Sequence, residues 1–220
     1  MKVIVINGSP RTDGFTAFLL HSLEKELILL GNDVEFADLV KLDMKHCRGC
    51  CTCYETGHCI MNDGAEQLSR MIEAADGLVL GSPTYASNVS GLMKDLIDRG
   101  HFVIEQILSG KYCITVATGE NYGNNGTGKI LDDLVTYSGG MLSDHIAMKA
   151  PFNDFEAVKK RVVRKSRRAA LRLTRKRRSL LRNLYHQIIF NIGIRPFVLR
   201  KGMRYKGVIK RWSALGIIKE

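Results

Sequence analysis

Lys2-Val3-Ile4-Val5-Ile6-Asn7-Gly8-Ser9-Pro10-Arg11-Thr12-Asp13-Gly14-Phe15-Thr16 is the stretch that decides the fold. Residues 2–6 are a continuous, largely β-branched run, which suits a strand buried on both faces of a parallel sheet. From Phe15 onward, Leu19, Leu20, Leu23, Leu27 and Leu30 recur at helical spacing, and Gly31-Asn32 closes that helix. Between strand and helix, Ser9 and Thr16 offer hydroxyls and Arg11 a positive charge. Gly14 lets the backbone come close, and the helix N-terminus adds its dipole. These are the groups a phosphate needs. The plainer reading of the same residues is a strand-to-helix turn with a Ser or Thr cap. Neither Gly-x-Gly-x-x-Gly nor a Gly-Lys-Ser/Thr phosphate loop occurs here.

Working outward, strands are read at 34–39, 77–81, 112–117 and 140–147, and helices at 65–75, 89–107 and 130–138, with 41–63 and 118–126 as loops. Alternating strands and helices predict an α/β fold, a doubly wound parallel sheet. Five strands favour the flavodoxin-like order 2-1-3-4-5. In such sheets ligands sit beyond the carboxyl ends of the strands. The chain divides into an α/β domain over 1–150 and a basic helical C-terminal extension over 151–220. In that extension a long helix is read over 157–190, then a short irregular tail broken by Pro196 and Gly202.

Two more loops fall on the ligand side. Gly81-Ser82-Pro83-Thr84-Tyr85-Ala86-Ser87-Asn88 follows strand 3, and Thr118-Gly119-Glu120-Asn121-Tyr122-Gly123 follows strand 4. Both expose backbone amides that can meet the polar edge of a flat heterocycle. Each alone reads equally as a capped loop, but three such loops on one edge point to one ligand.

Gly8-Ser9-Pro10-Arg11 with Gly14 and Thr16, Gly81-Ser82-Pro83-Thr84-Tyr85, Gly91-Leu92-Met93-Lys94 and Asp98-Arg99 together resemble the NADPH-dependent FMN reductase family over about residues 1–148. The resemblance implies FMN, with its phosphate at Ser9, Arg11, Gly14 and Thr16. It implies an isoalloxazine ring against Pro83, Thr84, Tyr85 and Asn88, and against Thr118, Gly119, Tyr122 and Gly123. It also implies NAD(P)H as donor and a homodimer or higher oligomer.

Five of six cysteines lie between Cys47 and Cys59. Cys47, Cys50, Cys53 and Cys59 read as C-x2-C-x2-C-x5-C, and four thiolates so close can wrap a [4Fe-4S] cluster. That spacing resembles the compact motif of iron–sulfur flavoproteins in the same wider family. Zinc on four thiolates, or on three with His46 or His58 as the fourth ligand, is a second reading, and free thiols bordering the flavin a third. Cys113 sits alone in an apolar stretch and reads as a core residue. His21, His101 and His186 are read on helices in structural roles.

Charge is segregated. Residues 1–156 hold 12 Lys+Arg against 21 Asp+Glu, and residues 157–220 hold 21 Lys+Arg against one acid, Glu220. The basic segment carries a stripe of Val158, Val162, Ala169, Leu173, Leu180, Leu181, Leu184 and Ile188. The favoured partner for residues 157–190 is the acidic domain of the same or a sister chain, ahead of a membrane surface or nucleic acid. No apolar run approaches the ~20 residues of a membrane span, and a cytoplasmic location is the default expectation. The leading function is an FMN-dependent NAD(P)H oxidoreductase passing electrons to a quinone, flavin or protein acceptor, the flavin itself doing the chemistry. One alternative is an iron–sulfur flavoprotein electron carrier. Another, of a different class, is a redox-sensing flavin module that meets an anionic surface through its basic helix.

Overall fold

In the computed structural model, which describes residues 1–150 and 154–218, the first apolar run forms β1 (Lys2–Asn7), an interior strand of a five-stranded sheet. It pairs in parallel with β2 (Asp33–Asp38) on one side and β3 (Gly77–Pro83) on the other. Then β4 (Tyr112–Gly119) and β5 (Met141–Lys149) complete the order 2-1-3-4-5, all parallel. This is the expected flavodoxin-like sheet.

The strand period of two sorts side chains to opposite faces. Val3, Val5 and Val79 meet α1 (Phe15–Leu29), while Ile4, Ile6, Leu78 and Leu80 meet α3 (Gly64–Ala74), α4 (Gly91–Arg99) and α6 (Asn124–Tyr137). The first face is shared by α7 (Phe155–Thr174), which buries Val158, Val162, Ala169, Ala170 and Leu173 beside Leu20, Leu23 and Leu27. Thus the first helix beyond residue 150 covers the sheet. The boundary read at 150/151 adjoins residues 151–153, which lie outside the described residues.

Several boundaries differ from the sequence reading. The helix expected over 89–107 is two, α4 and α5 (Phe102–Glu105), separated at His101, whose φ is +55°. The break turns Phe102, Ile107 and Leu108 into the core, so His101 sits at a corner rather than within a helix. The expected loop 41–63 contains α2 (Thr52–Thr56), entered through Cys51 at φ +58°. Helix α6 begins at Asn124, inside a stretch whose Gly and Asn content reads as loop.

The long basic helix is also divided. After α7 the chain turns, with Lys176 at φ +53°, and α8 (Leu180–Ile189) starts at Ser179, whose hydroxyl accepts from the Arg182 N–H. A π turn (Phe190–Ile194) leads without interruption into α9 (Arg195–Lys201). A short 3-10 turn (Gly202–Tyr205) and α10 (Lys206–Ala214) follow. The tail expected to be irregular is therefore helical. Pro196 is the second residue of α9, directly after the π turn, where the regular i→i−4 ladder is already interrupted. Phe190, Val198, Val208 and fully buried Trp212 give the tail its own small core.

Candidate functional site

The carboxyl ends of β1, β3 and β4 lie together, and their loops are bonded to one another. At β1, Asn7 accepts from the Ser9 N–H through Oδ1 (3.0 Å) and donates from Nδ2 to Asp38 (2.8 Å). The Ser9 hydroxyl accepts from the Arg11 N–H (3.1 Å), so Ser9 is buried with its oxygen held at the turn. Helix α1 starts after Gly14 with no side-chain cap. Its first N–H groups are therefore free of side-chain partners, as an anion site at a helix start requires. Arg11 folds over Gly14: a Cβ there would stand 3.2 Å from Arg11 Cβ and 3.3 Å from its Nε. A side chain at position 14 would press on Arg11, which would have to shift by a few tenths of an ångström. Thr16 and Thr118 share a hydroxyl–hydroxyl bond of 2.7 Å, which ties the β1 loop to β4.

The β3 loop is joined to both. The Gly8 N–H donates to Gly81 (2.8 Å), and the Ser90 hydroxyl donates to the Gly8 carbonyl while accepting from the Met93 N–H. The Thr84 N–H donates to Thr118 (2.8 Å). Tyr85 and Asn88 exchange two backbone bonds of 3.0 Å across a tight turn, with Ala86 and Ser87 both at positive φ. Against that turn sits Gly123, at φ +84°, where a Cβ would lie 2.7 Å from Ser87 Oγ. Gly119 faces Thr84, and the Thr127 hydroxyl donates to the Asn88 carbonyl (2.9 Å). Pro83 is buried, and Tyr85 and Tyr122 stand exposed at the rim. All twelve residues read from sequence for the flavin fall on this edge. Asn7, Ser82, Ser90 and Thr127 also hold it together; the sequence reading misses all four, since a helix read from residue 89 places Ser90 inside it.

These residues fit FMN. The uncapped helix start, Ser9, Arg11 and Thr16 suit its phosphate. Buried among the loops, the Thr84 hydroxyl has no partner in the protein, and such an atom is costly unless a ligand meets it.

The second group of candidates lies at the other end of α4. Cys47, Cys50, Cys51, Cys53 and Cys59 line one cavity of about 90 Å³ together with Arg99 and His101. Three thiols (Cys47, Cys50, Cys51) are exposed and two partly buried. Arg99 fixes the segment. Its guanidinium grips Asp63 through two bonds (2.7 and 2.8 Å), donates to the Lys45 carbonyl, and reaches Cys59 Sγ at 3.5 Å. The Arg99 bonds hold the Asp63 carboxyl down at about 2. At the corner, His101 meets Glu105 at 2.8 Å. Burial opposes charge on His101, but hydrogen bonds to Cys53 and Glu105 outweigh it and raise the imidazole to about 10. A hydrogen bond with Thr52 lowers the Cys50 thiol, whereas burial pushes Cys113 up to about 12 as an inert core thiol.

The donor set fits a multi-iron cluster better than a lone zinc. One tetrahedral ion draws its sulfurs to about 2.3 Å and hence close together. Among the described residues, the one set of three ligand atoms within 4.8 Å of each other is Cys53, His101 and Glu105, with a single thiol. His46 and His58, the imidazoles considered for zinc, face Asp95 (2.6 Å) and Glu66 (3.7 Å). Cys47, Cys50, Cys53 and Cys59 around one cavity, with Arg99 at its rim, suit the negative charge of a cubane.

The tail closes over this segment. Tyr205 stacks on Tyr54 at 4.9 Å, and Lys206 pairs with Glu55 at 2.9 Å. Arg211 pairs with Glu73 and with buried Glu105 (2.9 Å) and donates to the Gly57 carbonyl. Trp212 donates to the Ile104 carbonyl (3.1 Å). Gly207 makes the approach possible, since a Cβ there would stand 2.4 Å from the Gly57 nitrogen. Elsewhere Arg168 and Arg172 reach Asp144, and Arg182 reaches Asp132. Among the described residues no helix is long and apolar enough to cross a membrane.

Known proteins place this arrangement in context. The family model for NADPH-dependent FMN reductase matches residues 1–148. An iron-sulfur flavoprotein of Clostridioides difficile (strain 630) is 35% identical over 225 residues, covering 99% of this chain and 100% of that one. An iron-sulfur flavoprotein of Archaeoglobus fulgidus is 39% identical over 99 residues, 45% of this chain and 48% of its own. Oxidised flavodoxin 1 of Bacillus cereus superposes with a TM-score of 0.55 at 15% identity, covering 80% of this chain and 98% of that one. That last likeness is one of fold.

Proposed function

Since the chain belongs to the NADPH-dependent FMN reductase family of flavin-dependent oxidoreductases, we propose that it is an iron–sulfur flavoprotein that moves electrons between NAD(P)H and an acceptor. Ser9, Arg11, Gly14 and Thr16 hold the FMN phosphate. Pro83, Thr84, Tyr85 and Asn88, with Thr118, Gly119, Tyr122 and Gly123, hold the ring. Cys47, Cys50, Cys53 and Cys59 hold a [4Fe-4S] cluster. Bound FMN supplies a group that takes a hydride from the nicotinamide and returns electrons to a quinone, flavin or protein, and the cluster a one-electron relay.

One observation carries this reading. Helix α4 is capped by Ser90, which is bonded to Gly8 and to Ser82 beside the Pro83–Asn88 loop, and ends at Arg99, which lines the cysteine cavity. Its nine residues span roughly 13 Å at ~1.5 Å per residue. One rigid element thus links both redox positions.

The exposure of three thiols favours a second reading, a plain reductase with free cysteines. Anaerobic purification with an absorbance spectrum, iron and sulfide analysis separates the two. About four irons and one FMN per chain are expected, with the iron lost and the flavin kept in Cys53→Ser. Substoichiometric iron after anaerobic reconstitution sinks the cluster. Anaerobic titration with NADH and with NADPH reads the donor by flavin bleaching, and no bleaching by either overturns the nicotinamide assignment.

A further inference from the structure

The apolar stripe of the basic segment splits in two. On α7 it is closed against the sheet. On the rod formed by α8, the π turn and α9 it is open: Leu181 is 81% exposed, Leu184 61%, Ile188 48%, Ile192 76% and Leu199 45%. Spacings of three, four, four and seven put these side chains on one helical face. The rod's use to the fold lies elsewhere, through Phe190 and Val198, which are buried with Trp212. An apolar strip of this length left in water marks an interaction surface.

Charge identifies the partner. Arg175, Lys176, Arg177 and Arg178 lead directly into the rod, and Arg195 and Arg200 lie along it. None of these six has an acidic partner among the described residues, unlike Arg168, Arg172 and Arg182. No acid occurs anywhere from 157 to 219. A second copy docked face to face on this rod would bring two such cationic runs together. A nucleic-acid backbone would use the cations but leave the leucines wet. An anionic lipid surface uses both, taking apolar side chains into the acyl boundary and cations onto the headgroups. At 22 residues from Leu180 to Lys201, the rod is about 33 Å long at ~1.5 Å per residue, and it carries too much charge to cross.

We propose that residues 180–201 form an in-plane helix that seats this protein on anionic bilayers. The test is sedimentation of the full chain with vesicles of phosphatidylcholine alone and of phosphatidylcholine mixed with phosphatidylglycerol, at low and high salt. The protein is expected in the pellet with the mixed vesicles and in the supernatant with the neutral ones. Leu181→Gln combined with Ile188→Gln weakens retention by roughly tenfold or more, from the apolar burial lost. Changing Arg175, Lys176, Arg177 and Arg178 to Gln weakens retention and flattens its salt dependence. Circular dichroism and flavin content, unchanged in both variants, show that the fold is intact. Three results each overturn the proposal: no retention on mixed vesicles at low salt; retention indifferent to the leucine and isoleucine changes, the mark of a simple polycation; or a larger species in solution that the same changes break down, the mark of a second copy.

Discussion

The two ends of α4 are organised by opposite means. At the Ser90 end, three loops leave buried strands and bond chiefly to one another, so the cradle is a product of the sheet. At the Arg99 end, a cysteine segment with one short helix is held by side chains from afar: Arg99 on Asp63 and Cys59, and from the tail Lys206 on Glu55 and Arg211 on the Gly57 carbonyl. One site is thus a by-product of the sheet, and the other is assembled onto it. Damage to the sheet-built end should lower ligand affinity. Damage to the assembled end should loosen the cysteine segment and leave the flavin edge intact.

Substitutions on the assembled side should cost the most stability. Trp212→Ala empties the centre of the tail's core at a cost of about 4 kcal/mol. Hydrogen exchange should then rise through residues 52–58 and 180–218 with FMN affinity unchanged; flavin loss in step would break the contrast. Arg99→Ala leaves the buried Asp63 carboxylate with the Lys45 and Ala65 N–H groups but without its cation, at a cost of about 3 kcal/mol. Denaturant unfolding measures the loss, and flavin affinity should again hold.

Acid tests the same pair. Arg99 holds the Asp63 carboxyl at about 2 in the folded chain, below its unfolded value. Its contribution is therefore complete above that unfolded value and is lost as pH falls from about 4 toward 2, about 2 kcal/mol in all. Asp63→Asn should remove this part of the acid transition. The smallest effect is on the sheet-built side. Thr16→Val breaks the 2.7 Å bond to Thr118 and should weaken FMN binding by about 1 kcal/mol, read by flavin fluorescence, with the reactivity of the cysteine thiols unaltered.

How much of this was legible in sequence follows the same division. The gathering of three loops on one edge was, because each is local to its strand: a β-branched strand, then Ser9, Arg11, Gly14 and Thr16, followed in kind by Pro83–Asn88 and Thr118–Gly123. The cysteines announced themselves by spacing, but not what holds them. Asp63 and Arg99 are 36 residues apart, and Glu55 and Lys206 are 151 apart, distances at which periodicity carries no signal. The corner at His101 was hidden because apolar spacing runs on from Val89 to Ile107. The tail was misread because Pro196 reads as a breaker where it opens a helix turn, and because its charge conceals Phe190, Val198 and Trp212.

The meeting of Gly207 with Gly57 has one more consequence. Contacts between side chains can be retuned, since a lost methyl on one partner can be answered by a gained one on the other. Two backbones in contact leave no such margin. The tail can therefore seat in one register, and any atom added at position 207 is a wedge. Docking of the last helix should be all-or-none, like a key that either enters or does not, and Gly207→Ala should produce a population split between seated and unseated tails instead of a gradual loosening.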